Sequence, residues 1–161
     1  RAQDRKYFSE YNIIPSVQPT HATSDMPWAE LRLGRNRMRR AYAYKSLQEE
    51  LGLLALGTDF PVEGINPLHT FYAAVSRTNA QGQPKGGFLP DEKLSRDEAL
   101  RGMTLWAAIA NFEEGNKGSL EKGKLADLVV LDQNLLTCPD SLLLNTQVQY
   151  TVLGGEVVFE K

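Results

Sequence analysis

The stretch Leu53-Leu54-Ala55-Leu56-Gly57-Thr58-Asp59-Phe60-Pro61 constrains this chain more than any other. A short apolar run stops abruptly at Gly-Thr-Asp, and a proline follows soon after the aspartate. The run has the length of a strand buried on both faces, as in a parallel sheet covered by helices. Gly57 lets the backbone turn where the strand ends, and Pro61 keeps the chain extended as it enters a loop. Asp59 is thereby presented at the carboxyl end of a buried parallel strand, the end at which α/β barrels and open α/β sheets gather their chemistry. Taken without its neighbours, Asp59 also suits a helix cap or a turn.

At 161 residues the chain is long enough for one domain with a real core. A hydrophobic content of 42% and a charged content of 24% are ordinary for a globular protein. The net charge of -2 gives no overall drive toward nucleic acid or an anionic membrane. No apolar run approaches the roughly 20 residues that span a bilayer, and no secretory signal opens the chain. The single cysteine, Cys138, has no internal partner, which fits a reducing compartment, and the cytoplasm is the default expectation. The chain begins at Arg1 and not at Met, so an upstream part is expected to have been removed or left out. Only two histidines are present, His21 and His69, too few imidazoles for a metal site built from this chain alone.

Along the chain, Arg1 to Tyr11 reads as the tail of a polar helix with Tyr7, Phe8 and Tyr11 on one face. Residues 13–18 read as a strand, although Pro15 argues against a regular interior one. Pro19 to Asp25 reads as a polar loop, and Met26 to Leu33 as a short helix with Asp25 as N-cap and Pro27 in its first turn. A longer helix is predicted over Asn36–Glu50, stopped by Gly52 before the strand at 53–57. Asn66 then caps a helix over Pro67–Arg77, and Asn79–Pro90 is a glycine- and proline-rich loop. Ser95-Arg96-Asp97-Glu98 is a capping box that opens a helix from Arg96 to Phe112. After Phe112 the pattern is β only. Leu128–Asp132 is a strand, and Thr146–Leu153 and Glu156–Phe159 are strands joined by the hairpin signal Gly154-Gly155. Any seam between two parts falls near Glu113 to Lys117.

Three blocks occur in order. The first runs from Ser16 to Asp25. The second is Gly57 to Glu63 with Asn66-Pro67. The third runs from Gly118 to Asp132 and contains Gly123-Lys124-Leu125-Ala126-Asp127-Leu128-Val129-Val130. Together they resemble the C-terminal part of a metal-dependent hydrolase of the amidohydrolase superfamily, in the branch called amidohydrolase family 3. The resemblance covers nearly the whole chain. It implies an α/β fold: the last strands and helices of a (β/α)8 TIM-type barrel, plus the C-terminal strands of a composite β-sandwich. Residues 1–112 would form the barrel part and 113–161 the sandwich part, an incomplete fragment of a larger protein. Segments 13–18 and 53–57 would be the seventh and eighth barrel strands.

What the resemblance implies for the site follows residue by residue. Asp59 matches the aspartate that ends the last barrel strand, where it serves as metal ligand and as general base. A carboxylate there binds a divalent cation, zinc being the expected one in the parent, and takes a proton from the water that the cation acidifies. His21 follows the seventh strand and resembles a substrate contact, not a metal ligand. A loop histidine bonded to nearby backbone is the other reading. Gln18, Asp25 and Trp28 lie close enough in sequence to line the same cleft, with Asp25 equally suited to a helix cap. Arg77 ends its helix, where a cation suits the helix dipole. His69, inside that helix, reads as structural or exposed.

The family's other metal ligands have no counterpart in these residues, so the isolated chain is expected to be inactive and to bind no metal by itself. The implied parent activity is hydrolysis of a C–N, amide-like bond in a small-molecule substrate. The expected partner is the missing N-terminal part of the same protein. Apolar faces left open without it would favour a homo-oligomer or a rearrangement. The alternative is a non-catalytic, independently folded module that keeps the scaffold and binds a protein partner. Arg32, Arg35, Arg37, Arg39 and Arg40 form a basic cluster, read as a solvated helix face and not as a nucleic-acid site, and no membrane contact is expected. Cys138 reads as a small apolar filler.

Overall fold

A computed structural model describes residues 1–161, with Ala2 by its backbone alone. The two sequence-predicted parallel strands pair, but each is reduced to two residues. Strand β1 is Ser16–Val17 and β2 is Ala55–Leu56. They run parallel, with Ser16 opposite Ala55 and Val17 opposite Leu56. Ala55 N–H donates to the Pro15 carbonyl and Gly57 N–H to the Val17 carbonyl, each at 3.0 Å. Prolines set the limits. Pro15 has no N–H to add to the ladder, and Pro19 opens a helix directly after β1. Leu54, Ala55 and Leu56 are buried, as the apolar run requires.

A 3-10 turn over Ala2–Asp4 and a short helix α1, Lys6–Glu10, precede β1. Helix α2 spans Pro19–Leu33, which corrects the expected loop at 19–25 and the short helix beginning at Met26. Pro19 fits the first helical position because its φ is already helical and its missing N–H has no partner to lose. Asp25 and Pro27 therefore lie inside the helix and do not start it. The predicted helix over 36–50 is also two pieces, α3 at Arg35–Met38 and α4 at Tyr44–Leu51. Between them Tyr42 takes a left-handed φ of 51°, and its ring meets Phe88 at 6.0 Å and Tyr44 at 6.4 Å. Gly52 ends α4 in the left-handed conformation with φ 90°, as its position predicts.

Helix α5, Pro67–Ser76, is capped by Asn66, whose Oδ1 accepts from Leu68 N–H at 3.0 Å. After the loop and a 3-10 turn at Pro90–Glu92, the capping box forms as read: Ser95 and Glu98 exchange side-chain and backbone bonds. The helix it opens is again divided, into α6 (Arg96–Met103) and α7 (Leu105–Ala110), by Thr104 with φ −125° and ψ −91°. Both pieces pack on β2. Gly102 makes this possible, because a Cβ there would sit 2.7 Å from Leu56 Cγ and 2.9 Å from the Leu54 carbonyl oxygen. The core is Leu54, Leu56, Phe71, Ala74, Leu94, Ala99 and Trp106.

The C-terminal part is a three-stranded antiparallel sheet in the order β3-β4-β5, with β3 Leu128–Leu131, β4 Val148–Leu153 and β5 Glu156–Glu160. Gly154 and Gly155, with φ 59° and 88°, make the predicted hairpin turn. A helical turn, α8 (Asp140–Leu143), packs against α5. Every residue of β5 is exposed, including Val157, Val158 and Phe159. The architecture is mixed α/β with two small sheets. Among the described residues no helix is long and apolar enough to cross a membrane.

One ion pair ties α4 to the capping box. Lys45 Nζ donates to Glu98 Oε1 at 2.5 Å, while Ser95 N–H donates to Glu98 Oε2 at 2.8 Å. Partial burial raises the Glu98 carboxyl, but the bonds from Lys45 and Ser95 outweigh it and hold the group below the usual carboxylate range. A depressed folded pKa gives stability that is present above the unfolded carboxylate value of about 4.3 and is lost as pH falls through the folded value. Glu98→Gln is therefore expected to cost about 1 kcal/mol at neutral pH and to flatten the acid limb below about pH 5. Urea midpoints across that range check both effects.

Candidate active site

The geometry starts from the β1–β2 pair. Parallel strands end on the same side, so the residues that follow each are neighbours. After β1 the chain enters α2, which carries His21 on its first turn. After β2 it turns through Thr58 and Asp59, and Asp59 adopts a left-handed φ of 58°. The turn is closed by Phe60 N–H on Thr58 Oγ1 at 3.2 Å and by Val62 N–H on the Asp59 carbonyl at 2.8 Å. It returns Glu63 to the side on which Asp59 stands.

Three side chains meet there. His21 Nε2 lies 3.5 Å from Asp59 Oδ2 and 3.9 Å from Glu63 Oε1. Ser24, one turn after His21 on α2, donates its hydroxyl to Glu63 Oε1 at 2.5 Å. The side chains of His21, Asp59 and Glu63 are 26%, 47% and 19% exposed. Nε2 itself is buried without a hydrogen bond of good geometry. The carboxylate pair faces the imidazole with no lysine or arginine in contact among the described residues.

The other residues singled out in the sequence are placed as follows. Gln18 precedes α2, and its backbone carbonyl accepts from Tyr44 Oη at 3.1 Å. Trp28 lies two turns beyond His21 on the same stripe of α2 and is 48% exposed. Asp25 is neither a cap nor free, since Tyr42 Oη donates to its Oδ2 at 2.8 Å. Burial first, then the bond to and charge of Asp25, push the Tyr42 hydroxyl up to about 12. His69 is exposed on α5. Of the basic cluster, Arg35 pairs with Glu30 at 3.0 Å and Arg37 Nε caps the Leu33 carbonyl at 2.7 Å, and all five arginines are exposed. Cys138 is buried and free, as a filler would be.

Arg77 ends α5 as the sequence predicts, and it is fully buried there. It takes a left-handed φ of 58° at the end of α5, and its Nε donates to the Phe88 carbonyl at 2.9 Å. Its guanidinium carbon stands 4.9 Å from the Tyr44 ring centre and 5.9 Å from that of Phe88. The terminal guanidinium nitrogens find no oxygen. The aromatic faces supply the electrostatic partner that an oxygen would otherwise give. Burial lowers the Arg77 pKa, with Tyr44 and Glu92 opposing it.

Sequence reasoning missed Glu63 and Ser24 as neighbours of the site. The available signals were spacing alone: Ser24 is one helical turn from His21, and Glu63 follows Asp59 across a proline turn. As a metal centre the cluster is incomplete. Among the described residues no group of three or more histidine, cysteine or acidic side chains is arranged to hold a metal ion. Asp59, half exposed and with no lysine or arginine in contact among the described residues, is free to serve as one ligand in a larger set.

Asp59 thus stands beyond the carboxyl end of a buried parallel strand, beside an imidazole carried by the helix that follows its partner strand, at the end of an α/β sheet or barrel where active sites gather. The sequence profile of the amidohydrolase family matches residues 1–159, and the chain belongs to that family, in its family-3 branch. It is 40% identical over 128 residues to Protein LONG AFTER FAR-RED 3 of Arabidopsis thaliana, covering 79% of this chain and 22% of that protein. It is 34% identical over 108 residues to the N-substituted formamide deformylase of Arthrobacter pascens, covering 67% of this chain and 19% of that enzyme. Among solved structures, an uncharacterised metal-dependent hydrolase from Pyrococcus horikoshii OT3 superposes with a TM-score of 0.76 at 29% identity, covering 87% of this chain and 28% of the other. The chain thus spans about a fifth of the length of these curated relatives.

Proposed function

We propose that this chain is the C-terminal part of a metal-dependent amidohydrolase whose whole length cleaves amide-type C–N bonds with water. The observation that carries the reading is the meeting of Asp59 and His21, 3.5 Å apart, beyond the carboxyl ends of β1 and β2. In this reading β1 and β2 are the last two strands of a (β/α)8 barrel. Residues 1–112 belong to that barrel, and 113–161 supply strands to a β-sandwich completed by the N-terminal part of the protein. The exposed apolar residues of β5 and a groove of about 1020 Å³ between α7 and β3 are surfaces for that part to cover.

Asp59 is the ligand this chain contributes to a divalent metal, zinc in our reading, and the remaining donors come from the N-terminal part. A divalent ion held there brings the pKa of water toward neutrality. Asp59 accepts the proton of the attacking water and returns it to the leaving nitrogen, which completes the exchange of C–N for C–O. His21 contacts the substrate beside the reacting carbonyl, and Gln18 and Trp28 line the approach. The similarity to an N-substituted formamide deformylase supports an amide-like bond as the target.

The test is amine release by the full-length, zinc-loaded protein from a panel of N-substituted formamides and longer N-acyl amines. Turnover is expected from the full-length protein and none from the isolated chain of 161 residues with added zinc. Silence from a metal-replete full-length protein across the panel sinks the hydrolase reading. Turnover by the isolated chain, lost on Asp59→Ala, refutes the need for donors from outside it.

A further inference from the structure

We infer that Glu63 positions the His21 imidazole through the charge of its carboxylate, an assignment that rests on the role proposed above for His21. Glu63 sits on an exposed turn, with Pro61, Val62, Gly64 and Ile65 around it all exposed. Its own side chain is folded inward against α2, leaving it the most covered member of the cluster. A carboxylate on such a turn keeps its hydration by pointing outward, so an inward position needs compensating contacts. Ser24 Oγ gives one at 2.5 Å, and His21 Nε2, 3.9 Å away, gives the other.

The ring orientation follows from the pair of acids. Nε2 is buried between Asp59 and Glu63, with neither close enough for a directed hydrogen bond. An Nε2 bearing a proton is attracted to that position, whereas a bare lone pair is repelled from it. Glu63, tethered by Ser24, closes one side of that position and so keeps the imidazole in place.

The experiment is site-resolved carbethoxylation of histidine by diethyl pyrocarbonate, read by peptide mass spectrometry on the full-length protein. The variants are Glu63→Gln, Glu63→Ala and Ser24→Ala. Glu63→Gln keeps the shape and an oxygen for Ser24 but removes the charge. It is expected to raise the labelling rate at His21 about threefold, the size of effect a partly exposed charge contact gives. The rate at His69 should stay at its wild-type value. Glu63→Ala should match or exceed this rise, and Ser24→Ala should give a smaller one. If Glu63→Gln labels His21 at the wild-type rate, Glu63 merely ties down the turn and the assignment is wrong, whatever Glu63→Ala does. Labelling needs no substrate, so an enzyme silent on every amide would overturn the hydrolase reading while the labelling still decides the role of Glu63.

Discussion

Asp59→Asn in the full-length, metal-loaded protein is expected to lower kcat by about a thousandfold, within the range that loss of a positioned general base gives. The amide has the size of the carboxylate but no basic oxygen, so it neither takes the proton of the attacking water nor passes one to the leaving nitrogen. The site is well suited to isolate this effect. Asp59 makes no ion pair with lysine or arginine among the described residues, and its side chain is 47% exposed. Few contacts within the chain depend on it, and at equal metal content thermal denaturation of the variant should track the wild type. Its left-handed φ of 58° is one that asparagine tolerates as readily as aspartate. Stopped assays of amine release over several hours detect the residual rate, and metal analysis of the same samples separates lost chemistry from lost metal. A variant that keeps a tenth of the wild-type kcat with full metal content removes Asp59 from the role of base.

Phe71→Ala is expected to carry the largest stability effect, about 3–5 kcal/mol. Phe71 is completely buried on α5, which packs on α2 and α6. It belongs to the cluster that includes Leu54, Leu56 and Trp106, so its loss opens a cavity directly behind the strand pair that carries the site. The helices around it are fixed by caps and by one another and collapse only in part into such a space. Phe71→Leu, which keeps most of the volume, should lose clearly less. Chemical denaturation midpoints of the full-length protein and its variants measure the difference. A loss below about 1 kcal/mol for the alanine variant would mean that the core relaxes around this position.

How much was legible in the sequence depended on how local the cause was. Leu53–Gly57 announced a buried strand because both faces of β2 are covered and the residues themselves carry that information. The Asn66-Pro67 cap and the Ser95/Glu98 box were legible because every atom involved lies within one turn of chain. The early start of α2 was not, because Thr20, His21, Thr23 and Ser24 carry no apolar period. That turn is held by contacts made at a distance: Ala22 is fully buried and Tyr44 holds the Gln18 carbonyl. At the break at Tyr42 the ring packs on Phe88, from a loop far along the chain, and just before the break at Thr104 Gly102 lies close against β2. For the candidate site, the meeting of Asp59 and His21 was legible from their positions after the two strands. Glu63 was not, since its inward turn depends on Ser24 from another segment. The same holds for the burial of Arg77: its place at a helix end was legible, but the rings of Tyr44 and Phe88 beside its guanidinium come from other segments.

The brevity of the β1–β2 pair bears on how this protein tolerates changes of length. A two-residue ladder has too few bonds to enforce its own alignment, and a slip of one residue would turn Val17 and Leu56 away from their packing. The alignment is instead dictated by burial, with Leu54 and Leu56 in the core and Val17 packed against it. Insertions or deletions between Ile14 and His21, or between Leu54 and Glu63, would therefore dismantle the site even where they remove none of its residues. The exposed stretch of residues 80–86 lies outside that frame, and there the chain can lengthen or shorten without moving the histidine relative to the aspartate.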